Sequence, residues 1–530
     1  GVDIIWLNPI FLSPNDDNGY DISDYREIMR EFGTMEDFDR LLKEIHKREM
    51  RLVLDLVVNH TSDEHPWFEE ARKSRHNPYY NYYHWWPAEK GEPPLRLSYF
   101  DEEGNAWTYN KPTDSYYLHY FSRKQPDLNW ENPEVRQEIF DMMRFWFDKG
   151  IDGFRMDSIS LIAKDPSFPL IDSKKYPDIF SFYAKEPRLH LYLHEMNRQV
   201  LSKYDCMSVG EGSAVMVDDV AKFVDPAREE LNMLYHFDAA RIRNTTLPDN
   251  PESGIDYSLI ALKKMFTEWD KAVDKGWPSI YLGNHDQPRM VSRFGSDKDE
   301  FRALSAKMLI TFLLTMRGTP YWFAGDEIGM RNIRFDHIED YNDIDTINRY
   351  KKAKAEGKDP QAVLDEQKET GRDNARTPFQ WDRSPEAGFT AGTPWLKVNP
   401  DYTWINVADE EKDPTSILNY FKKVVSFRKE NPSLIYGSYH LLDAENPQSY
   451  TFLRKTGADT YLIMLNFSPK AAISTPGIDM SNAHVLLDNY GDRSHMAPQK
   501  DITLRPFEAI VFQLNHPVYE SFIDSLDLLE

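Results

Sequence analysis

The stretch Gly153-Phe-Arg-Met-Asp-Ser-Ile-Ser160 predicts a buried strand that carries charge on one of its faces. Side chains alternate along a strand, so Arg155 and Asp157 share one face while Phe154 and Met156 occupy the other. A neighbouring guanidinium favours the ionised carboxylate, which is the form that a nucleophile requires. Alone, the pattern is more typical of a structural ion pair, so its interpretation depends on the rest of the chain.

The composition limits the class of protein. The chain has 530 residues, of which 41% are hydrophobic, and it has no run of about 18 apolar residues, which argues against a membrane span in these residues. A formal charge of −24 disfavours nucleic acid and anionic lipid surfaces as partners. The single cysteine, Cys206, cannot form an internal disulfide, and this favours the cytoplasm. The sequence does not define an oligomeric state.

Strands and helices alternate along most of the chain, which indicates a parallel α/β sheet. Helices are predicted over Met35–Arg48 and Glu134–Lys149, and Pro414–Asn431 is a third. Seven parallel strands are predicted, at Val2–Leu7, Leu52–Val58, Gly153–Met156, Asp205–Val209, Met233–Phe237, Ser279–Leu282 and Pro320–Ala324.

The alternation is interrupted by an aromatic, turn-rich segment and followed by short alternating runs that predict an antiparallel β domain. The charged segment between Asp336 and Gly371 is interpreted as a solvated helical excursion. The predicted domains are a barrel formed by 1–60 and 131–435, an inserted subdomain at 61–130, a C-terminal β domain at 436–515 and an amphipathic tail helix at 516–530.

Polar residues recur where four of the predicted strands end: His60, Asp157, Glu211 and the run Asn284-His-Asp286. In a parallel barrel these ends form one rim, where active sites are built. Paired carboxylates are typical of glycoside hydrolysis, in which one is the nucleophile and the other the general acid and base. No element carries a pair of ligands at metal-binding spacing, so no metal site is predicted.

These motifs resemble those of the α-amylase family of glycoside hydrolases, in its oligo-1,6-glucosidase and α-glucosidase branch. The resemblance covers nearly the whole chain, including residues 13–25 and 371–381. It rests on five motifs, namely Asp55-Leu-Val-Val-Asn-His60, Gln125-Pro-Asp-Leu-Asn129, Gly153-Phe-Arg-Met-Asp157, Val209-Gly-Glu211 and Asn284-His-Asp286.

The resemblance implies a (β/α)8 barrel with an inserted subdomain after its third strand and a C-terminal β-sandwich. It implies that Asp157 is the nucleophile, that Glu211 is the general acid and base, and that Asp286 stabilises the transition state. Nine further residues are implied to bind substrate: His60 and His285 bond the terminal glucose, Arg155 lies beside the nucleophile, Tyr20 stacks beneath the sugar, Asp17 and Arg372 close over its non-reducing end, Phe121 and Gln125 sit on the rim formed by the insertion, and Ser158 borders the leaving sugar.

One feature of the family has no counterpart before Gly1: its first barrel strand and the following loop, which can hold a metal ion. Because a barrel of seven strands leaves exposed sheet edges, the sequence is expected to be truncated. A calcium site near that strand and a leader peptide therefore stay open, and no cofactor is expected to be required.

The expected function is a retaining exo-α-glucosidase that acts on short α-glucosides. The charged pair of Asp17 and Arg372 predicts a blind pocket, which excludes chains that pass through. In the resembling enzymes Val at the position of Ser158 accompanies α-1,6 preference, whereas Thr or Ala accompanies α-1,4 bonds and sucrose. Serine therefore predicts mixed specificity that leans toward α-1,4 bonds or sucrose. Its other interpretation is a cap for the following helix.

Three alternatives stay open. A sucrose isomerase or transglucosidase shares the catalytic carboxylates, but the resembling isomerases carry Arg-Leu-Asp-Arg-Asp where this chain has Ala240-Arg-Ile-Arg-Asn244. A phosphotrehalose hydrolase needs cations around a phosphate, which the net charge does not favour. A non-catalytic binding module, such as the heavy subunit of an amino-acid transporter, needs a membrane anchor and can dispense with the carboxylates. The sequence does not determine the natural substrate or its linkage.

Overall fold

The structure is a computed structural model that describes residues 1–100, 104–457, 459–494 and 499–514. The predicted tail helix at 516–530 lies outside the described residues. Strands are numbered in chain order as β1 Ile4–Leu7, β2 Phe11–Leu12, β3 Asp24–Ile28, β4 Arg51–Val57, β5 Trp85–Pro87, β6 Trp107–Asn110, β7 Ser115–Leu118, β8 Gly153–Asp157, β9 Met207–Glu211, β10 Met233–Tyr235, β11 Ser279–Ile280, β12 Thr319–Pro320, β13 Ser438–Leu442, β14 Ser449–Thr456, β15 Asp459–Asn466, β16 Ala472–Ser474, β17 Ala483–Asp488, β18 Ile502–Leu504 and β19 Ala509–Leu514.

The α-helices lie mainly between the parallel strands and before the C-terminal domain. They are α1 Met35–Lys47, α2 Pro66–Ala71, α3 Pro133–Lys149, α4 Arg188–Gln199, α5 Ala221–Val224, α6 Asp238–Thr245, α7 Leu259–Ala272, α8 Met290–Phe294, α9 Arg302–Thr315, α10 Ile344–Ala355, α11 Pro360–Thr370, α12 Asp373–Arg376, α13 Val407–Glu410, α14 Ile417–Glu430 and α15 Ser433–Tyr436.

Local sequence explains where the long helices begin and end. The Thr34 hydroxyl accepts the backbone N–H of Asp37, whose carboxylate accepts the N–H of Thr34 in return, so a capping box starts α1. Helix α3 follows the cap residue Asn132 with a proline at its first position and stops at Gly150, where φ is 106°. The predicted starts of both helices therefore agree with the structure within one residue.

The parallel strands form the framework of the first 437 residues. Five pair in the order β1-β4-β8-β9-β10, and β11 pairs with β12. Gly153 permits the close pairing of β8 with β9, because a Cβ at this position would collide with the carbonyl oxygen of Met207. In the register Val57 pairs with Asp157, Met156 with Gly210, and Tyr235 with Glu211. The polar residues that end these strands consequently lie at one level.

All seven predicted strands differ from the structure in at least one bound, and two of them show the reason. The strand predicted over Asp205–Val209 is Met207–Glu211, because its pairing begins opposite Gly153. The strand predicted over Pro320–Ala324 ends at Pro320, and beyond it only the N–H of Tyr321 reaches the carbonyl oxygen of Ile280. An apolar run alone does not specify where hydrogen bonding starts and stops.

The aromatic segment between β4 and α3 forms its own small layer. Strands β5, β7 and β6 make an antiparallel sheet, and α2 lies beside it. The Phe68 ring stacks on Trp85 at 5.9 Å and meets Tyr117 edge-on at 5.1 Å. Most of these aromatic residues therefore pack within the segment, while the loop after β7 carries Phe121 and Gln125 back toward the parallel strands.

The antiparallel domain lies after α15, as the alternating pattern predicted. Its main sheet has the order β13-β14-β15-β19-β17, and β16 pairs with β18. The buried Lys263 of α7 joins it to the preceding unit by donating to the carbonyl oxygens of Asp443 and Asn446, at 3.0 and 2.7 Å. In the described ranges no helix combines the length and apolar character needed to cross a membrane.

The charged segment from 336 to 371 contains α10 and α11, so its helical character is confirmed. The interpretation of the segment as wholly solvated is wrong at the start of α10. Asp343 and Thr346 have no exposed surface there. Asp343 accepts the backbone N–H of Thr346 and also bonds Arg372, at 3.0 and 2.7 Å. The segment therefore contributes a buried charge to the candidate site.

Candidate active site

The guanidinium of Arg155 lies at the centre of a cluster of buried carboxylates. Its side chain has no exposed surface, and its Nη1 lies 3.0 Å from Oδ1 of Asp157 and 2.8 Å from Oδ1 of Asp55. Its Nη2 donates to Oε2 of Glu211. One planar cation thus holds the carboxylates at the ends of β8 and β9 side by side.

Two tyrosine hydroxyls complete the hydrogen bonding of this cluster. The Tyr235 hydroxyl accepts from Nε of Arg155 at 2.9 Å and donates to Oε2 of Glu211 at 3.1 Å. The Tyr20 hydroxyl donates to Oδ2 of Asp55 at 2.8 Å. Because each carboxylate has fixed partners, the cluster is positioned before any ligand binds.

Asp286 belongs to a neighbouring group of charges. Nε2 of His285 lies 3.0 Å from its Oδ2, and one nitrogen each of Arg372 and Arg376 lies 3.1 Å from its Oδ1. Although burial opposes ionisation, these three neighbours hold the pKa of Asp286 well below its usual range. The Tyr20 hydroxyl also lies 2.8 Å from Nε2 of His285, and so it joins the two groups.

Arg372 closes one side of the site through Asp17. Its Nη2 lies 3.3 Å from Oδ1 of Asp17, and its Nε donates to Oδ1 of Asp343 at 2.7 Å. Nε2 of Gln125 donates to the other oxygen of Asp17 at 3.1 Å. The structure thus brings Asp17 and Arg372 together as expected, and adds Asp343 as a second partner of the arginine.

Burial and the charge of Glu211 raise the pKa of Asp157 well above its usual range, although Arg155 opposes the rise. Arg155 favours the ionised form of Asp157 as expected, but burial and Glu211 outweigh its effect on the pKa. Burial raises the pKa of the neighbouring Asp55 as well.

The pKa of Asp17 gives a testable pH dependence. Burial raises this pKa to about 7, despite the opposing charges of Arg372 and Arg376. Between about pH 4 and pH 7 the unfolded chain releases this proton while the folded chain retains it, so Asp17 makes stability fall as pH rises. Asp17→Asn removes the titration. We expect its free energy of unfolding, relative to the wild type, to rise by about 1.4 kcal/mol per pH unit in this window.

Asp37→Asn is the control, because hydrogen bonds from Thr34 lower the pKa of Asp37 far from Asp17, and its stability contribution is lost only as pH falls below about 4. Urea unfolding from about pH 4.5 to about pH 8 measures both variants. The difference in the free energy of unfolding from the wild type should change with pH for Asp17→Asn and stay level for Asp37→Asn. Parallel curves for the two variants would contradict the raised pKa of Asp17.

His60 and its neighbours form the wall toward the aromatic segment. The His60 ring lies 5.0 Å from that of Phe121, and its Nε2 lies 3.0 Å from the carbonyl oxygen of Tyr20. Burial lowers the pKa of His60 to about 3, so the ring is neutral. Gln125 lies inside this wall rather than on an exposed rim, because the Ser122 N–H binds its Oε1 at 2.9 Å and directs its Nε2 inward.

Ser158 follows β8 in a left-handed backbone conformation, with φ of 42°. It occupies the cap position of the 3-10 turn Ile159–Leu161, but its side chain makes no capping hydrogen bond. Its hydroxyl lies 3.5 Å from Oε1 of Glu211, and the Ser213 hydroxyl donates to the same oxygen at 2.6 Å. The helix-cap interpretation is therefore wrong, and Ser158 borders a carboxylate of the cluster.

The structure adds four residues to the site that received no role from the sequence: Asp55, Tyr235, Asp343 and Arg376. Arg376 follows Arg372 by four residues, a spacing that places both on one face of a helix and could have revealed it. Asp343 gave no such signal, because nothing in a charged segment distinguishes the buried carboxylate from the exposed ones.

Among the described residues, no group of three or more His, Cys, Asp or Glu side chains is arranged to hold a metal ion. In the loop after β2, the Asp21 carboxylate accepts the backbone N–H groups of Asp16 and Asp17, at 2.9 and 3.0 Å. This carboxylate therefore serves the conformation of the loop.

Comparison with known proteins gives one consistent result. Residues 1–437 match the model of the alpha amylase catalytic domain. The chain is 50% identical over 528 residues to an oligo-1,6-glucosidase of Parageobacillus thermoglucosidasius, which covers 98% of this chain and 92% of that protein. It is 47% identical to an oligo-1,6-glucosidase of Bacillus cereus, with coverage of 97% and 92%.

Among solved structures, the chain is similar to a mutant isomaltulose synthase of Erwinia rhapontici in complex with its natural substrate sucrose. The TM-score is 0.92 and the identity 42%, with 97% of this chain and 92% of the other covered.

Proposed function

Because the chain belongs to the α-amylase family of glycoside hydrolases, we propose that it is a retaining exo-α-glucosidase. It releases glucose from the non-reducing end of short α-glucosides through a covalent glucosyl-enzyme. The similarity to oligo-1,6-glucosidases over 98% of the chain supports this class of activity.

In the proposed reaction Asp157 is the nucleophile and Glu211 the general acid and base. The Asp157 carboxylate attacks the anomeric carbon and forms a β-glucosyl ester, while Glu211 gives its proton to the departing glycosidic oxygen. A water then attacks the same carbon, Glu211 accepts its proton, and the Asp157 carboxylate leaves α-glucose. Retention predicts carboxyl groups about 5–5.5 Å apart, and the guanidinium of Arg155 that contacts both supports this spacing.

Asp286 is proposed to stabilise the positive charge that develops on the sugar ring in the transition state. Its lowered pKa supports this role, because an ionised carboxylate opposes such a charge best. His60 and His285 are proposed to bond the hydroxyls of the terminal glucose, with Tyr20 beneath the ring and Phe121 on the side of the insertion.

The closure of the site by Arg372 carries the exo-acting part of the proposal. Its guanidinium spans Asp17, Asp286 and Asp343, and its side chain is 15% exposed. A sugar whose anomeric carbon reaches Asp157 is then expected to place the hydroxyls of its non-reducing end against Arg372 and Asp17. No further sugar unit fits beyond these two residues. Binding thus favours the end of a chain over its interior.

Glucose release from sucrose, maltose, isomaltose, trehalose and an aryl α-glucoside tests the activity. An aryl maltoside with its non-reducing 4- and 6-hydroxyls blocked tests the direction of attack, with the unblocked maltoside as its control. We expect turnover of the unblocked compound alone. Cleavage of the blocked compound would contradict an exo mechanism, and no turnover of any substrate would favour the binding module.

The configuration of the first product tests retention. Proton NMR during hydrolysis of an aryl α-glucoside distinguishes the anomers before they interconvert. We expect α-glucose first, because two displacements at the anomeric carbon restore its configuration. β-Glucose as the first product would instead require inversion, with a water between the carboxyl groups.

Ser158 is proposed to set the linkage preference, because its hydroxyl lies beside Glu211 and the leaving oxygen must lie there too. Its small polar side chain predicts mixed specificity that leans toward α-1,4 bonds or sucrose. In Ser158→Val the isomaltose-to-maltose ratio of kcat/KM should rise by about tenfold, because methyl groups replace the hydroxyl beside Glu211 and one such group in a pocket is worth about 1–3 kcal/mol.

Ser158→Thr is the matched control, because Thr has the shape of Val and meets the same strain at a positive φ. The ratio should stay near the wild-type value in Ser158→Thr and rise only in Ser158→Val. Equal ratios in both variants would show that the volume of the side chain at position 158, and not its hydroxyl, sets the linkage preference. A wild-type enzyme that cleaves isomaltose far faster than maltose and sucrose would contradict the predicted preference for α-1,4 bonds or sucrose.

Sucrose isomerisation is the second candidate, because the similar isomaltulose synthase was solved with sucrose bound. The isomerase run Arg-Leu-Asp-Arg-Asp is absent from α6, where Ala240–Asn244 stands. Arg243 there bonds Asp256 at 2.6 Å. Chromatography of the sucrose products distinguishes the reactions, and we expect glucose and fructose rather than an isomer.

The proposal includes the domain division. Residues 1–60 and 131–435 make up a (β/α)8 barrel, 61–130 the inserted subdomain, and 436–515 a β-sandwich. The catalytic carboxylates lie on the barrel, and residues of the insertion complete the pocket. The substrate is a small oligosaccharide or disaccharide, and no cofactor enters the proposed reaction.

A further inference from the structure

Three buried side chains behind His60 form a chain of hydrogen bonds that the proposed reaction does not use. The Lys164 and Asp127 side chains are 1% and 0% exposed, and Lys164 Nζ lies 3.1 Å from Oδ2 of Asp127. Lys164 Nζ also donates to Oδ1 of Asn59 at 2.6 Å. Nδ2 of Asn59 lies 3.1 Å from Nδ1 of His60 and 3.3 Å from Oδ1 of Asp127. These contacts connect the ammonium group of Lys164 to the His60 ring at the site.

The ammonium group decides which way the Asn59 amide faces. Lys164 has donors only, so it must meet the oxygen of the amide and not its nitrogen. Nδ2 of Asn59 then faces His60 and donates, so Nδ1 of the ring must be the unprotonated nitrogen. Because the neutral ring carries a single proton, that proton lies on Nε2, which donates to the Tyr20 carbonyl oxygen at 3.0 Å.

The tautomer with its proton on Nδ1 also has a hydrogen-bond partner in the site, so it must be considered. Nε2 of Gln125 lies 3.3 Å from Nε2 of His60 and could donate to it if that nitrogen were unprotonated. Nδ1–H would then need the oxygen of Asn59, and the amide would have to turn. Its Nδ2 would come against the ammonium group of Lys164, a contact between two donors in a dry interior. Lys164 therefore excludes this tautomer, and Oδ1 of Asp127, which accepts from the same Nδ2 at 3.3 Å, disfavours it as well.

We propose that Lys164 is a positioning residue that fixes His60 as the Nε2–H tautomer, whose one proton is shared between the Tyr20 carbonyl oxygen and an acceptor of the ligand. That this donor meets a sugar hydroxyl oxygen rests on the proposed function. The tautomer itself does not, because it follows from the buried chain of hydrogen bonds alone.

NMR of protein labelled with ¹⁵N-histidine tests the tautomer, since the protonated and unprotonated ring nitrogens resonate far apart. His60→Gln identifies the signals of His60. We expect Nε2 to carry the proton in the wild type and a mixture of tautomers in Lys164→Met. In Asn59→Asp an oxygen faces Nδ1 while the contact with Lys164 is kept, and the proton should move to Nδ1.

A wild-type proton on Nδ1, or an unchanged proton position in Asn59→Asp, would overturn the proposal. Should Lys164→Met not fold, Asn59→Asp decides, because it retains the ammonium group and its acceptor. Asp127→Asn is the control: it weakens the ion pair and leaves the bond from Lys164 to Asn59, so the tautomer should not change.

A set of monodeoxy aryl α-glucosides tests the sugar contact separately. The wild type should lose about tenfold in kcat/KM on the analogue that lacks the contacted hydroxyl, the value of one hydrogen bond. Asn59→Asp should lose about tenfold on the parent glucoside and nothing more on that analogue. A tautomer that shifts as expected, with equal losses on all analogues, would overturn the sugar contact and leave the role of Lys164 in place.

Discussion

Replacing Asp157 with Asn should lower kcat on every α-glucoside by at least about 10⁴-fold, because the amide cannot form the proposed glucosyl ester. The fold should persist, since the Asn oxygen still accepts from Nη1 of Arg155, which lies 3.0 Å away. Thermal stability near neutral pH should rise, because burial and Glu211 disfavour the charge of Asp157 in the folded chain. Steady-state kinetics and thermal unfolding measure both effects.

The control for this variant is Asp152→Asn, just before β8, where the carboxylate bonds His46 at 2.8 Å away from the cluster. It should keep wild-type activity. Asp157→Ala adds a chemical test: azide occupies the space, attacks an activated aryl α-glucoside once and should give β-glucosyl azide. Residual activity of Asp157→Asn above about one hundredth of wild type would assign the nucleophile elsewhere.

Replacing Glu211 with Gln should slow hydrolysis of disaccharides by about 10³-fold, because the proposed general acid can no longer protonate the leaving sugar. An aryl glucoside with an acidic leaving group needs no such proton, so its first step should remain fast. The second step then lacks its base, and the glucosyl-enzyme should accumulate. Intact mass spectrometry detects the added glucosyl group, and a burst of released phenol measures its formation.

Azide distinguishes the role of Glu211 from that of Asp157. In Glu211→Ala it attacks the β-glucosyl ester on Asp157 and should give α-glucosyl azide, the opposite anomer to that from Asp157→Ala. Glu230→Gln is the control, because this buried carboxylate bonds His190 at 2.8 Å and belongs to no part of the cluster. The same azide anomer from both alanine variants would refute the assignment of the two carboxylates.

Much of the fold could be predicted because its signals are local. The apolar run of β4, the caps of α1 and α3 and the alternation after α15 each depend on neighbouring residues. Strand bounds were less accurate: β9 begins two residues later than predicted, because its pairing starts opposite Gly153.

The sequence by itself determined which residues end the strands, since Asp157, Glu211 and the His285-Asp286 pair follow recognisable runs. Their joint position follows from the parallel arrangement, in which the strand ends meet at one rim. The type and order of the candidate catalytic groups could therefore be predicted without a structure.

Only the tertiary structure decided the protonation and orientation of these groups. Arg155 faces three carboxylates from three strands, and burial together with Glu211 raises the pKa of Asp157 where the isolated pair predicts a fall. Likewise, Lys164 fixes the amide of Asn59 from 105 residues away. Burial and Coulomb interactions depend on distance in space. The sequence does not show which charges, distant along the chain, are buried next to one another.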